Sequence, residues 1–137
     1  MNANESRYRL RKQNEIVGYM RKINEKSLFY SPDAFWWSGR KIAYDEIDEW
    51  TGLHDKHRKL IYEWDIVKFK VDPEADYCTG VVLWEARNKH FVIRQVDEDV
   101  CFPLFMADLQ LFNQQQLEVF SYLFLNPELK AHLGIES

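Results

Sequence analysis

Residues 51–67, TGLHDKHRKLIYEWDIV, constrain this chain more than any other stretch. They open on a polar turn and run into a strand, expected over Leu60–Val71. Val67, Phe69 and Val71 alternate with Lys68 and Lys70, so one face is apolar and the other charged. Asp72-Pro73 ends the run. Gly52 permits a tight turn. Asp55 is placed to accept backbone N–H bonds and close that turn, and Asp65 can do the same at the start of a strand. Both acids read as structural.

The rest of the chain breaks into short segments. Ile16, Met20 and Ile23 recur at helical spacing, but Gly18 suits a helix interior poorly. A hairpin is preferred: Tyr8–Arg11, a turn at Lys12-Gln13-Asn14, then Ile16–Ile23. Phe29, Tyr30, Phe35, Trp36 and Trp37 follow, interrupted by Ser31-Pro32-Asp33 and Ser38-Gly39. They imply a short packed strand or a contact surface. The acidic stretch 44–50 is inconclusive. Thr79–Trp84 and His90–Gln95 read as strands paired around Arg87-Asn88, and residues 97–99 as an exposed turn. Pro103–Asn113 suits one or two helical turns, and Leu117–Leu125 a last long strand. Asn126 caps a short helix with Pro127 at its first position and Glu128 near its positive end. Leu129 and Leu133 form its buried side, and Gly134 stops it. These elements predict a mainly β (α+β) fold: a small curled antiparallel sheet or partial barrel with short peripheral helices.

A length of 137 residues suits a single domain, 1–137, with residues 1–6 frayed. At 46% hydrophobic and 15% aromatic the chain is globular. No apolar run is long enough to span a membrane, and the basic N-terminus lacks an export signal core. Cys78 and Cys101 fit a reducing compartment. The net charge of −4 is unevenly placed. Residues 1–41 hold nine Lys/Arg against four Asp/Glu, whereas residues 42–137 hold nine against eighteen. Such a basic arm on an acidic body attracts nucleic acid or the acidic body of another subunit, unless both are merely solvated faces.

Thr51-Gly52-Leu53-His54-Asp55, Ile61-Tyr62-Glu63 and Asp65-Ile66-Val67 follow one another in a pattern that resembles the YopX-like proteins of phages and prophages. Leu117–Leu129, a hydrophobic strand running into Asn126-Pro127-Glu128-Leu129, resembles the end of that family. Val81-Val82-Leu83-Trp84 is similar to its intervening strand. The chain departs from the pattern at Arg58 and Trp64, where the family carries glycine, and at Ser121-Tyr122 in place of a Gly-Asn pair. Losing glycine at Arg58 implies either a turn without positive φ or strain. The resemblance implies a cytoplasmic protein of a bacterial host whose partner is an unidentified host or phage protein. It implies no molecular activity.

No phosphate loop, dinucleotide fingerprint, nucleophile elbow or zinc spacing is present, and no cofactor is expected. The first functional reading is a non-enzymatic, self-associating interaction module using Phe35, Trp36 and Trp37. The second is a nucleic-acid binder using Arg7, Arg9, Arg11, Lys12, Arg21 and Lys22, with Trp36 and Trp37. A third, a metal-dependent hydrolase, would use His54, Asp55 and His57.

Overall fold

The computed structural model describes residues 5–31, 40–107 and 109–135. The chain forms two compact units, Met1–Trp50 and Thr51–Ser137. It is mainly β, as the sequence predicts, with two five-stranded antiparallel sheets, a small hairpin and a short helix.

The first unit holds β1 (Glu5–Lys12), β2 (Glu15–Ile23), β3 (Lys26–Tyr30) and the first part of β4 (Glu46–His54). The expected hairpin is β1–β2, and β1 begins at Glu5 rather than Tyr8. Its loop is Gln13-Asn14, with φ of 52° and 65°, the positive pair that matches the twist of two strands. Gly18 lies opposite Leu10, and a Cβ there would come within 2.6 Å of the Ile42 side chain and of the Tyr30 carbonyl. Only glycine lets that close approach stand. Among the described residues of this unit, Leu10 and Met20 are the buried apolar side chains, beside the buried Arg9, Arg11 and Asp48.

The second unit begins inside β4. Gly52 does not sit in a turn, as the sequence suggests; it lies within β4 at φ 95°, a conformation costly to other residues. The chain turns later, at 55–59, and returns as β5 (Leu60–Tyr62). The strand expected over Leu60–Val71 is broken. β5 belongs to the sheet of order β3-β2-β1-β4-β5, while β6 (Asp65–Phe69) belongs to the second sheet. Glu63-Trp64 is the corner, with Trp64 at φ 75° and the Asp65 carboxylate accepting the Tyr62 N–H at 2.9 Å. Val71 lies past the strand and is exposed.

The second sheet adds β7 (Cys78–Glu85), β8 (His90–Gln95), β9 (Cys101–Pro103) and β12 (Leu117–Tyr122), in the order β12-β6-β7-β8-β9. Between them lies a hairpin of β10 (Phe105–Met106) and β11 (Leu109–Gln110), where the sequence suggested helical turns. Leu104 and Phe112 flank it and are buried, so its apolar residues serve a pleated segment rather than a helical face. Leu117–Leu125 is not one strand either: β12 ends at Tyr122 and Leu123–Leu125 forms a 3-10 turn. The helix α1 (Pro127–His132) follows, with Gly134 at φ 69°.

β6 is covered on one face along its length and on the other at its Ile66 end. Val67 and Phe69 join Leu53, Ile61, Val82, Ile93, Leu104 and Leu117 in one core cluster. Ile66 joins Val81, Leu123 and Leu133 in another, with Leu129 packed against it. Neither sheet is closed or strongly curled, so the partial barrel expected from the sequence is not formed. Closure needs the outermost strands of a sheet to pair. Here β12 is an edge whose outward bonds are taken by a turn instead.

Candidate functional site

The turn 55–59 and the edge strand β12 build one side of the second unit. Asp55 is fully buried, and its Oδ1 accepts the N–H groups of His57 and Lys59, each at 2.9 Å. Its Oδ2 accepts the N–H of Val119, also at 2.9 Å. The Lys56 N–H donates to the carbonyl of Leu117. The turn therefore closes on itself and covers the open edge of β12, which blunts further strand pairing there. Thr51 supports the same corner: its hydroxyl donates to the Ile61 carbonyl at 2.8 Å and accepts the Leu53 N–H. Leu53, Ile61 and Tyr62 are buried beside it.

Lysines project from this scaffold onto aromatic rings. Lys70 Nζ lies 4.6 Å and Lys56 Nζ 5.2 Å from the Tyr77 ring centroid. Lys68 Nζ lies 5.5 Å from that of Phe120, and Lys59 Nζ 5.4 Å from that of Tyr122. Lys68 stands opposite Glu118 in the β6–β12 register, so the two share a face. The register shifts between Val119 and Ser121, and the extra residue, Phe120, is turned outward. Glu118 pairs with Lys56 at 3.1 Å and lies 3.7 Å from His57 Nε2. The hydrogen bond from Lys56 holds the Glu118 carboxyl below its ordinary range, and the same bond raises the Lys56 ammonium.

The six basic residues expected to contact nucleic acid do not form one surface. Arg7, Arg9 and Arg11 share a face of β1. Arg9 and Arg11 are buried and both bind Asp48: Arg9 Nε at 2.8 Å, Arg11 Nε at 2.9 Å and Arg11 Nη2 at 2.8 Å. Arg7 lies over the Trp50 ring at 5.1 Å. Lys12 and Lys22 are exposed, and Arg21 is half-buried. This corrects the sequence reading for Arg9 and Arg11, whose charges serve the interior of the first unit. Phe35, Trp36 and Trp37 lie outside the described residues.

The metal set His54, Asp55 and His57 does not assemble, because both Asp55 oxygens are committed to backbone donors and His57 faces Glu118. Among the described residues no three His, Cys, Asp or Glu side chains are grouped to hold an ion. Cys78 and Cys101 are free thiols, and burial pushes the Cys101 thiol up. Asn126 precedes α1 without capping it: its side-chain amide donates to the Ser121 hydroxyl and the Tyr122 carbonyl. Pro127 opens the helix and Leu129 packs inward.

Two features escaped the sequence. Tyr77 and Phe120 join Lys56, Lys68 and Lys70 from segments far apart in the chain, and only the outward alternation of Lys68 and Lys70 hinted at that face. Met106 and Leu109 are paired across β10–β11 and are 64% and 66% exposed, the largest exposures of the large apolar side chains described. Their run read as one or two helical turns.

No family model matches the chain, and no curated protein matches it. The likeness to YopX-like proteins rests on the motif residues alone.

Proposed function

We propose that this protein is a non-enzymatic binding module that pairs with a second copy of itself through the β10–β11 hairpin. One observation carries the reading: Met106 and Leu109, cross-strand neighbours, both stand largely in solvent. Leu111, also exposed, extends the patch. Single exposed apolar residues are ordinary, but a cross-strand exposed pair on a hairpin marks a contact site. A second copy suits it because two such hairpins meeting about a two-fold axis cover each other's apolar pair. Kinship with YopX-like proteins, and the bacterial cytoplasm it implies, belong to this proposal and rest on residues 51–67 and 117–129.

Light scattering after size exclusion tests it. The wild-type mass is expected to rise with concentration, and Met106→Lys with Leu109→Lys is expected to hold the protein at the monomer mass while leaving its melting unchanged. A wild-type monomer at every concentration overturns the reading.

A further inference from the structure

We propose that the open part of the second sheet's outer face, where Lys56, Lys68 and Lys70 stand around Tyr77 and Phe120, binds single-stranded nucleic acid. The inference is separate from self-association through β10–β11 and uses none of its residues.

The placement comes first. On this face α1 and the 3-10 turn cover Ile66, Val81 and Leu83. Along β6 the same side continues to Lys68, which is exposed. That stretch is bordered by Lys70, Lys56 and the two rings. Tyr77 is 37% and Phe120 49% exposed, so both have ring surface in contact with solvent. Phe120 follows Glu118 on the side of β12 opposite the buried Leu117 and Val119, so alternation places it on this face.

The chemistry follows from the pairing of each ammonium with a ring. An exposed cation–π contact is weak and holds the lysine beside the ring without neutralising it. A single strand presents phosphates at regular spacing and unpaired bases between them. Phosphates take the lysines, while a base stacks on Phe120 or Tyr77 with a larger gain than the lysine contact it displaces. A duplex has its bases stacked internally and offers only the phosphates. An acidic peptide satisfies the lysines and leaves the rings idle. Glu118 does not cancel the site: it pairs with Lys56 and fixes it, leaving Lys68 and Lys70 to meet phosphate. The acidic loop of Asp72, Glu74 and Asp76 borders the face and keeps affinity modest.

Fluorescence anisotropy of a labelled oligothymidylate, titrated with the full chain at low salt, tests the proposal. Binding is expected to weaken as salt rises, with a logarithmic slope of about −1.4 for the two phosphate contacts of Lys68 and Lys70. Phe120→Ala is expected to weaken binding by about tenfold. Lys68→Gln with Lys70→Gln should weaken it and flatten the slope. Lys12→Gln with Lys22→Gln, exposed in the first unit, should leave it unchanged. All these positions are exposed or half-exposed, and unchanged circular dichroism melts verify that the variants fold. No binding at low salt overturns the proposal. So does wild-type binding by Phe120→Ala, equal or tighter binding of a duplex, or a loss that follows Lys12 and Lys22 instead.

Discussion

The carboxylate of Asp55 accepts the backbone N–H of Val119 at 2.9 Å, joining residues 64 apart in sequence. The same carboxylate closes its own turn through His57 and Lys59. One buried side chain thus ties the turn at 55–59 to the edge strand β12. Trp64 repeats the tie, accepting the Leu123 N–H on its carbonyl at 2.8 Å.

Asp55→Ala should therefore cost more than the single-bond scale of about 1 kcal/mol that a local turn would suggest. Three donors lose a charged acceptor, and the Val119 N–H is left buried. The expected loss is about 3 kcal/mol or more in urea unfolding. Asp55→Asn should lie between, since its amide nitrogen turns a donor toward an N–H. A loss near the single-bond scale would mean that water or a shifted chain replaces the lost bonds.

Arg58 and Trp64 both have positive φ, 64° and 75°. The backbone shape that glycine favours is thus present with a bulky residue in it, so the turn at Arg58 holds strain. Arg58→Gly should stabilise by about 0.5–1 kcal/mol, because Arg58 is exposed and little packing is lost. Trp64→Gly should destabilise instead, since Trp64 packs against the cluster of Ile66, Val81, Leu123 and Leu133. Thermal melts of the two variants should move in opposite directions.

Asp48 is completely buried and serves two buried guanidinium groups. Asp48→Ala leaves both charges without this carboxylate and should cost about 3–5 kcal/mol. Among the described residues of the first unit few apolar side chains are buried, so amide exchange should quicken in β1 and β2 before β6 and β7. Uniform quickening across the chain would show that the units unfold together.

The Lys56–Glu118 pair should be visible in an NMR titration. Glu118 is lowered from 4.5 by the hydrogen bond from Lys56, so the pair's stabilisation is complete above 4.5 and is lost as pH falls through the lower folded value. Lys56 is raised from 10.5, so on the alkaline side it is present below 10.5 and lost above the folded value. Lys56→Met should move the Glu118 midpoint back toward 4.5. A wild-type midpoint at or above 4.5 would contradict the bond.

Local pattern carried much of this fold. Alternation along Val67–Phe69, the breakers at Gln13-Asn14 and Arg87-Asn88, and the short polar chemistry of Asp55 and Asp65 act within a few residues, so hairpins and closing acids could be read directly. Three outcomes depended on distant chain. The Pro103–Asn113 run read as one or two helical turns, whereas it forms the β10–β11 hairpin with Leu104 and Phe112 buried in the core on either side. Arg9 and Arg11 read as surface charge until Asp48 supplied a buried counter-ion from another strand. Tyr77 and Phe120 became part of a lysine face only when β6 and β12 paired. Turn chemistry is a property of neighbours in sequence. Desolvation, ion pairing and the sharing of a face are properties of neighbours in space, and those exist only once the sheets have formed.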